Sequence, residues 1–256
     1  MTESDPWQVL RQFTAARIAL GRSGDSLPTR AMLDFNLAHA QARDAVHAPF
    51  DADAVVQRLA RPGALAAALG TMRVHSAADD RGIYLRRPDL GRRLATADRA
   101  RIKAQHMQLT DPGPIDLVLM VADGLSAPAA MRHAPDLIDA LLPHLPDWRI
   151  GPVVIATQAR VALGDEVGEL LRAALVAVLI GERPGLSSPD SLGVYLTWQP
   201  RVGCTDAERN CVSNVRPQGQ TIAAAAARTA WLLNAARRRA LTGVQLKDDS
   251  ERPLLA

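Results

Sequence analysis

The sequence predicts an α/β protein in which a smaller helical N-terminal domain precedes a mostly parallel, Rossmann-like sheet with helices on both faces. Three observations support this fold class. Helical spacing of apolar residues dominates the first part of the chain, continuous apolar runs of strand length replace it further on, and helical segments separate those runs. The pattern changes at Asp111–Pro114, so we predict domains over residues 1–110 and 111–256.

Caps and turn formers mark the helices of the first domain. Asp5 is a good N-cap residue, Pro6 suits the first helical position, and Gly21 ends that helix. Thr29 can cap the second helix. In chain order we predict helices over 5–21, 29–47, 51–62 and 64–69, a short extended segment over 82–85, and a further helix opening at 88.

Four apolar runs predict the strands of the second domain. Each run is short and is bounded by turn-forming residues. Strands that are apolar throughout are buried on both faces, which favours a mostly parallel sheet covered by helices. The predicted strands are Ile115–Ala122, Ile150–Thr157, Leu175–Ile180 and Leu192–Trp198, and the predicted helices cover 127–142, 165–172 and 220–239.

Composition and charge argue against two classes of function. The net charge of +3 comes from acids and bases that alternate along the chain, without the basic stripe of a nucleic-acid-binding surface. No apolar stretch approaches the roughly 18 residues that span a bilayer. The first residues have neither the basic start nor the apolar core of a secretory signal. We therefore expect a cytoplasmic protein that binds neither nucleic acid nor a membrane.

The loops that follow the predicted strands are the expected place for a ligand, because open parallel sheets bind ligands beyond the carboxyl ends of their strands. All four loops are polar and rich in glycine, serine or arginine, which suits a ligand with many amide or hydroxyl groups. They are Asp123–Ser126, Gln158–Val161, Gly181–Ser188 and Pro200–Asn214.

Several common sites lack their motifs. The glycine spacing of dinucleotide sites, the P-loop and the H-E-x-x-H zinc motif are absent from the sequence. Cys204 and Cys211 lack the paired spacing of a closed zinc site, so we interpret them as structural thiols. Asp123, Ser126 and His133 could form a hydrolase site, but the G-x-S-x-G elbow is missing.

Glu182 is the most distinctive single residue in these loops. It directly follows an apolar strand, and Pro184 and Gly185 favour a tight turn that would hold its carboxylate rigidly. A carboxylate placed in this way could meet a ligand. The alternative interpretation is a salt bridge with Arg183 or Arg201.

Several segments, in their order along the chain, resemble the small (light) subunit of ethanolamine ammonia-lyase. The resemblance spans roughly residues 15–247. The segments are Ala16–Gly24, Leu27–Thr29, Ala38–His47, Tyr84–Arg92, Ala122–Ala127, Gln158–Leu171, Leu179–Leu192 and Asp206–Val215.

This resemblance implies a subunit of a lyase that converts ethanolamine to acetaldehyde and ammonia with adenosylcobalamin. The cofactor would lie between this chain and a large (heavy) subunit that binds the substrate, within a higher-order hetero-oligomer. The family's cobalamin contacts on the small subunit match Val161, Glu182 and Cys211, whereas no catalytic residue and no metal ligand is implied on this chain. Glu182 would accept hydrogen bonds from corrin amides, Val161 would offer apolar surface, and Cys211 would pack against the cofactor.

Two questions stay open at this point. Some members of the family carry a longer N-terminal extension that targets a bacterial microcompartment, whereas this chain reaches its first family-like motif by about Ala16. The cytosol is therefore the expected location, with a bacterial microcompartment as the alternative. A stand-alone hydrolase and a non-catalytic scaffold for cobalamin-dependent assembly are the competing functions.

Overall fold

A computed structural model describes residues 6–14, 16–108 and 113–250. The strands are β1 (Thr71–His75), β2 (Ile115–Ala122), β3 (Val153–Thr157), β4 (Ala173–Gly181), β5 (Leu192–Trp198) and β6 (Arg209–Val215). The α-helices are α1 (Thr29–His47), α2 (Ala52–Leu59), α3 (Arg81–Arg86), α4 (Thr96–Gln108), α5 (Ala127–Leu141), α6 (Leu163–Leu170) and α7 (Ile222–Arg239). Short 3₁₀ helices cover Pro6–Gln12, Leu65–Leu69, Leu90–Arg92, Leu142–His144 and Asp206–Glu208.

One six-stranded sheet, ordered β1-β3-β2-β4-β5-β6, organises the molecule. Its central strands are apolar throughout because successive side chains of a strand face opposite layers, and here both layers are buried. In β2, Leu117 and Leu119 pack in one core cluster with residues of α2, α5 and α7. Val118 and Met120 face the other cluster, with residues of α4 and α6. The predicted helices on both faces of an α/β sheet are therefore confirmed.

The sheet is mixed, whereas the sequence analysis predicted a mostly parallel one. The strands β1, β3, β2 and β4 are mutually parallel, but β5 runs antiparallel to β4 and β6 antiparallel to β5. Residues 182–191 form the whole connection between β4 and β5. A parallel crossover needs about a dozen residues or more and usually a helix, so this short connection produces an antiparallel pair.

The described residues before 110 contain α1 to α4, but they also contribute β1, which pairs with β3 of the same sheet. This edge strand is short and only partly buried, with the pattern exposed, intermediate, exposed, buried, intermediate, so it lacks the apolar run used to predict strands. The predicted boundary at 110/111 lies outside the described residues, and the division into two domains stays a prediction.

Three local predictions in this region were wrong. The first helix is a 3₁₀ helix that ends at Gln12, and positive φ angles at Ala19 and Gly21 are incompatible with a continuous helix to residue 21. Its predicted cap, Asp5, lies outside the described residues. Residues 82–85 belong to α3, where the Asp80 carboxylate accepts from the Ile83 N–H at 2.8 Å. The helix predicted to open at residue 88 is a short 3₁₀ turn, and α4 begins only at Thr96.

Most of the remaining helices agree with the sequence. The helices α1, α2, α5, α6 and α7 lie within a few residues of their predicted bounds. Asp51 caps α2, accepting from Ala54 N–H at 2.9 Å, whereas α1 follows Pro28 without a side-chain cap. In the described parts of the chain, no helix combines the length and apolarity that crossing a membrane requires.

Candidate functional site

A cleft of about 430 Å³ opens where β2, β3 and β4 end, which is the edge that the sequence analysis singled out. The loops after these three strands and one residue of β5 form its walls, together with α3. Its lining consists of Tyr84, Gly124, Leu125, Arg160, Val161, Ile180, Gly181, Glu182, Arg183 and Tyr195.

Asp123 holds two of these loops together from beneath. Its carboxylate accepts N–H groups from Gly124 (3.0 Å), Gln158 (3.0 Å) and Ala159 (2.9 Å), and it lies 3.3 Å from Arg81 Nη1. Burial raises the pKa of Asp123, while the backbone donors and Arg81 act in the opposite direction. Gln158 has a φ of 54°, a left-handed conformation that is uncommon for residues other than glycine. The hydrogen bonds from Gln158 and Ala159 to Asp123 stabilise this turn, which presents the next residues to the cleft.

Two glycines bring the loops after β2 and β4 into direct backbone contact. The Leu125 N–H donates to the Gly181 carbonyl at 2.9 Å. A Cβ atom added at Gly124, which has a φ of 56°, would lie 2.2 Å from the Gly181 oxygen, and one added at Gly181 would lie 2.0 Å from the Ser126 oxygen. A side chain at either position would clash, so only glycine fits, and backbone atoms line this part of the cleft.

Glu182 lies at the rim with one oxygen anchored and the other open. Its Oε2 accepts hydrogen bonds from Ser191 Oγ and from the Asn214 N–H at 3.2 Å. Among the described residues, no donor is hydrogen-bonded to Oε1, and no ion pair joins Glu182 to Arg183 or Arg201; Arg201 pairs with Glu208 instead. The alternative interpretation as a salt bridge is therefore not supported, and one carboxylate oxygen remains available to a ligand.

Val161 and Cys211 complete the set of residues predicted to bind a cofactor. Val161 lies half-buried in the turn before α6 and lines the cleft. Cys211 was predicted on a loop, but it lies in β6, directly opposite Tyr195 of β5, which also lines the cleft. The segment 209–215 resembles a loop in sequence because β6 is an edge strand with polar residues on its exposed face. The three predicted residues therefore lie on one side of the molecule.

The thiol of Cys211 is not prepared to act as a ligand or nucleophile. Partial burial raises the pKa of the Cys211 thiol to about 11, although the residue is exposed at the sheet edge, and Tyr195 counteracts this shift in part. At neutral pH the group is a protonated thiol, which makes it a small, soft packing surface. Within the described residues, no cluster of three or more His, Cys, Asp and Glu could hold a metal ion.

Sequence reasoning missed Tyr84 and the arginines around it. The Tyr84 ring is buried, and two guanidinium groups lie over it, those of Arg81 at 4.7 Å and Arg160 at 4.6 Å from the ring centroid. Its hydroxyl donates to the Ala159 carbonyl at 3.3 Å, and burial raises its pKa to about 12. Arg160 immediately precedes Val161 and could have been found as a loop arginine, whereas nothing local in the sequence pairs it with Tyr84.

The arrangement of Ser126 and His133 does not support hydrolase chemistry. Ser126 is the buried N-cap of α5, and its hydroxyl donates to the Pro189 carbonyl at 2.8 Å. His133 lies 3.9 Å from Asp190, and burial lowers its pKa. No hydrogen bond joins Ser126 to His133 in the part of the chain that the structure describes, so the contact between nucleophile and base is missing.

Comparison with known proteins identifies the family. A family model described as ethanolamine ammonia-lyase light chain (EutC) matches residues 4–247. Proteins named ethanolamine ammonia-lyase small subunit are similar over nearly the whole chain: 54% identical in Azotobacter vinelandii, over 96% of this chain and 90% of the relative. The relative from Pseudomonas aeruginosa is 55% identical over 96% of this chain and 89% of its own length. The relative from Xanthomonas campestris pv. campestris is 55% identical over 98% of this chain and 90% of its own length. The chain belongs to the ethanolamine ammonia-lyase light chain family.

Proposed function

We propose that this chain is the small subunit of an adenosylcobalamin-dependent ethanolamine ammonia-lyase and that it holds the cofactor against a large catalytic subunit. The complex would convert ethanolamine to acetaldehyde and ammonia, a carbon–nitrogen lyase reaction. The observation that carries the proposal is the cleft where the strands end, at which Val161 and Glu182 meet and which Cys211 adjoins through Tyr195.

The polar groups around the cleft suit a ligand that is rich in amides. Glu182 Oε1 is an open acceptor for amide N–H groups. Three buried side-chain atoms close to the cleft have no hydrogen-bond partner among the described residues: Arg81 Nη2, Arg160 Nε and Gln158 Oε1. Buried polar groups are normally paired, so these atoms favour a ligand that supplies both donors and acceptors. The corrin ring of cobalamin carries such amides around its periphery.

This chain would bind and orient the cofactor rather than carry out the reaction. When bound, adenosylcobalamin supplies the radical that starts the reaction by cleavage of its cobalt–carbon bond. Val161 and Ile180 offer apolar surface in the cleft, and Glu182 fixes the orientation of an amide. We assign no catalytic residue to this chain. A corrinoid is larger than the cleft, so we propose that the large subunit covers the rest of it and that each subunit is inactive alone.

The test is the affinity of the reconstituted complex for cobalamin, measured from changes in corrin absorbance. We expect Glu182→Gln to weaken binding by about 1–3 kcal/mol, because a charged acceptor is lost. Glu169→Gln is the matched control, since Glu169 lies near the end of α6 outside the cleft lining. Equal affinity of the Glu182→Gln and wild-type complexes would contradict the proposal and favour a scaffold without cofactor contacts.

We further propose that the complex is a higher-order hetero-oligomer in the cytoplasm, with a bacterial microcompartment as the alternative location. Light scattering of the purified complex would give the number of subunit pairs. A fluorescent fusion imaged in cells grown on ethanolamine separates the two locations, because encapsulated enzyme gives discrete foci and free enzyme gives a diffuse signal.

A further inference from the structure

Arg160 carries a positive charge at the cleft without a carboxylate partner. Arg81, which also lies over the Tyr84 ring, is paired with Asp123 at 3.3 Å. Within the described residues, no ion pair is formed by Arg160. Stacking on an aromatic ring stabilises a guanidinium, but it does not neutralise the charge. The cleft therefore offers a cation that no carboxylate of the described residues neutralises.

The guanidinium of Arg160 is held in place on several sides. The Tyr84 ring covers one face at 4.6 Å, and Nη2 donates to the Tyr84 carbonyl at 3.3 Å. The backbone N–H of Arg160 donates to Gly91 O at 2.8 Å, and a Cβ added at Gly91 would lie 3.2 Å from Arg160 Cγ. Neither Nε nor Nη1 has a hydrogen-bond partner among the described residues, and only Nε is buried, so Nη1 is the donor that a ligand can reach. A rigid guanidinium with an unused donor is preorganised for an acceptor oxygen.

We propose that Arg160, oriented by Tyr84, binds the phosphodiester of the cofactor's nucleotide loop. This inference rests on the proposed function, because it assigns a part of cobalamin to a residue of the same cleft. The phosphodiester is the anionic group of a molecule whose corrin periphery carries neutral amides. Glu182 would repel an anion and accept hydrogen bonds from an amide N–H, whereas Arg160 would attract the anion. The two side chains therefore favour different parts of the ligand. Tyr84 is a positioning residue in this scheme.

The experiment compares two corrinoids on the complex assembled with its large subunit. Cobalamin contains the phosphodiester and nucleotide, and cobinamide lacks both. We expect Arg160→Gln to weaken cobalamin binding by on the order of tenfold to a hundredfold, as for loss of a hydrogen bond to a charged group. Cobinamide affinity should change by no more than about twofold, within the scatter expected for a group that makes no contact.

Variants of Tyr84 test the positioning role. Tyr84→Phe keeps the ring and should retain the preference for cobalamin, whereas Tyr84→Leu removes the stacking surface and should lower cobalamin affinity by a larger factor than cobinamide affinity. Arg86→Gln is the matched control, because Arg86 is an exposed arginine of the same helix that does not line the cleft. It should bind both corrinoids as the wild type does.

The outcomes separate this inference from the proposed function. Equal loss of cobalamin and cobinamide in Arg160→Gln, or no loss of either, would overturn the phosphodiester assignment while leaving the proposed function intact. A wild-type complex that binds neither corrinoid would overturn both. If Arg160→Gln fails to assemble, Arg160→Met serves instead; it keeps an unbranched apolar chain without the charge, and an unchanged ratio of the two affinities would count against the assignment.

Discussion

Two ion pairs of aspartate and arginine in this protein differ in how their charged groups are hydrogen-bonded. Asp165 and Arg209 are both fully buried and form two hydrogen bonds of 2.6 and 2.7 Å, and Arg209 also donates to Thr197 Oγ1 and to the Cys204 carbonyl. Asp123 and Arg81 make a single contact of 3.3 Å.

The two pairs differ in what their members bind besides each other. Asp123 accepts three backbone N–H groups, and Arg81 donates to the carbonyls of Val46 (2.7 Å) and Gly124 (2.8 Å) and retains an unpartnered Nη2. The first pair joins β6 to α6 outside the cleft lining, and we call it the closed pair. Its Arg209 Nε has no hydrogen-bond partner among the described residues and lies 3.5 Å from Asp206 Oδ1. The pair of Asp123 and Arg81 holds loops at the cleft, and its Arg81 Nη2 is a hydrogen-bond donor without a partner among the described residues. The two pairs therefore differ in their main partners: Asp165 and Arg209 bond chiefly to each other, whereas Asp123 and Arg81 bond chiefly to the backbone of loops at the cleft.

The largest effect should follow from breaking the closed pair. Arg209→Met leaves Asp165 buried without a counter-charge, and we expect the free energy of unfolding to fall by about 3–5 kcal/mol. Urea denaturation measures it. The double variant Asp165→Leu/Arg209→Met is the control and should recover much of the loss, because no charge remains buried. A loss below about 1 kcal/mol in the single variant would mean that the pair is not desolvated as the structure has it.

A smaller effect is expected at the cleft pair. Asp123→Asn keeps the shape of the side chain, but its amide can no longer accept on both sides. We expect a loss of about 1–3 kcal/mol, since backbone donors are left unsatisfied. Hydrogen exchange should accelerate at the amides of Gln158 and Ala159, which donate to this carboxylate. Unchanged exchange at these two amides would contradict the role of Asp123 in holding the turn.

The same variant should also alter the pH dependence of stability. Burial raises the pKa of Asp123 above its value in the unfolded chain, so the folded state binds the proton more tightly. This group therefore lowers the free energy of unfolding as pH rises from about 4, the unfolded pKa, toward the folded value. Asp123→Asn should remove that part of the slope, which urea titrations over a range of pH would detect. Arg81→Gln should steepen it, because a group that lowers the pKa is lost.

The smallest effect belongs to a neutral group at the same edge. Ser126→Ala removes the N-cap of α5, and we expect a loss of about 1 kcal/mol in thermal or urea unfolding. Lyase activity of the assembled complex should be retained. The isolated wild-type chain should show no ester hydrolysis, whereas turnover that disappears in Ser126→Ala would revive the hydrolase interpretation.

Much of the central sheet could be predicted because its signals are local. The bounds of β2 and β5 agree with the predicted strands, since an apolar run records burial on both faces. The expected position of Val161 and Glu182 followed from loops that succeed such runs. By contrast, β1 and β6 are edge strands whose exposed faces are polar, so only their pairing partners reveal them. Cys211 was placed on a loop for that reason.

The sequence by itself determined the family, the core strands, most helices and the edge of the sheet where a ligand is expected, because each depends on residues close together in the chain. Only the tertiary structure decided the mixed direction of the sheet and the place of β1. It also brought Tyr84 to Arg160, which are 76 residues apart. Contacts of this kind arise from the packing of α3 against the loop after β3, and no periodicity or spacing in the sequence records them.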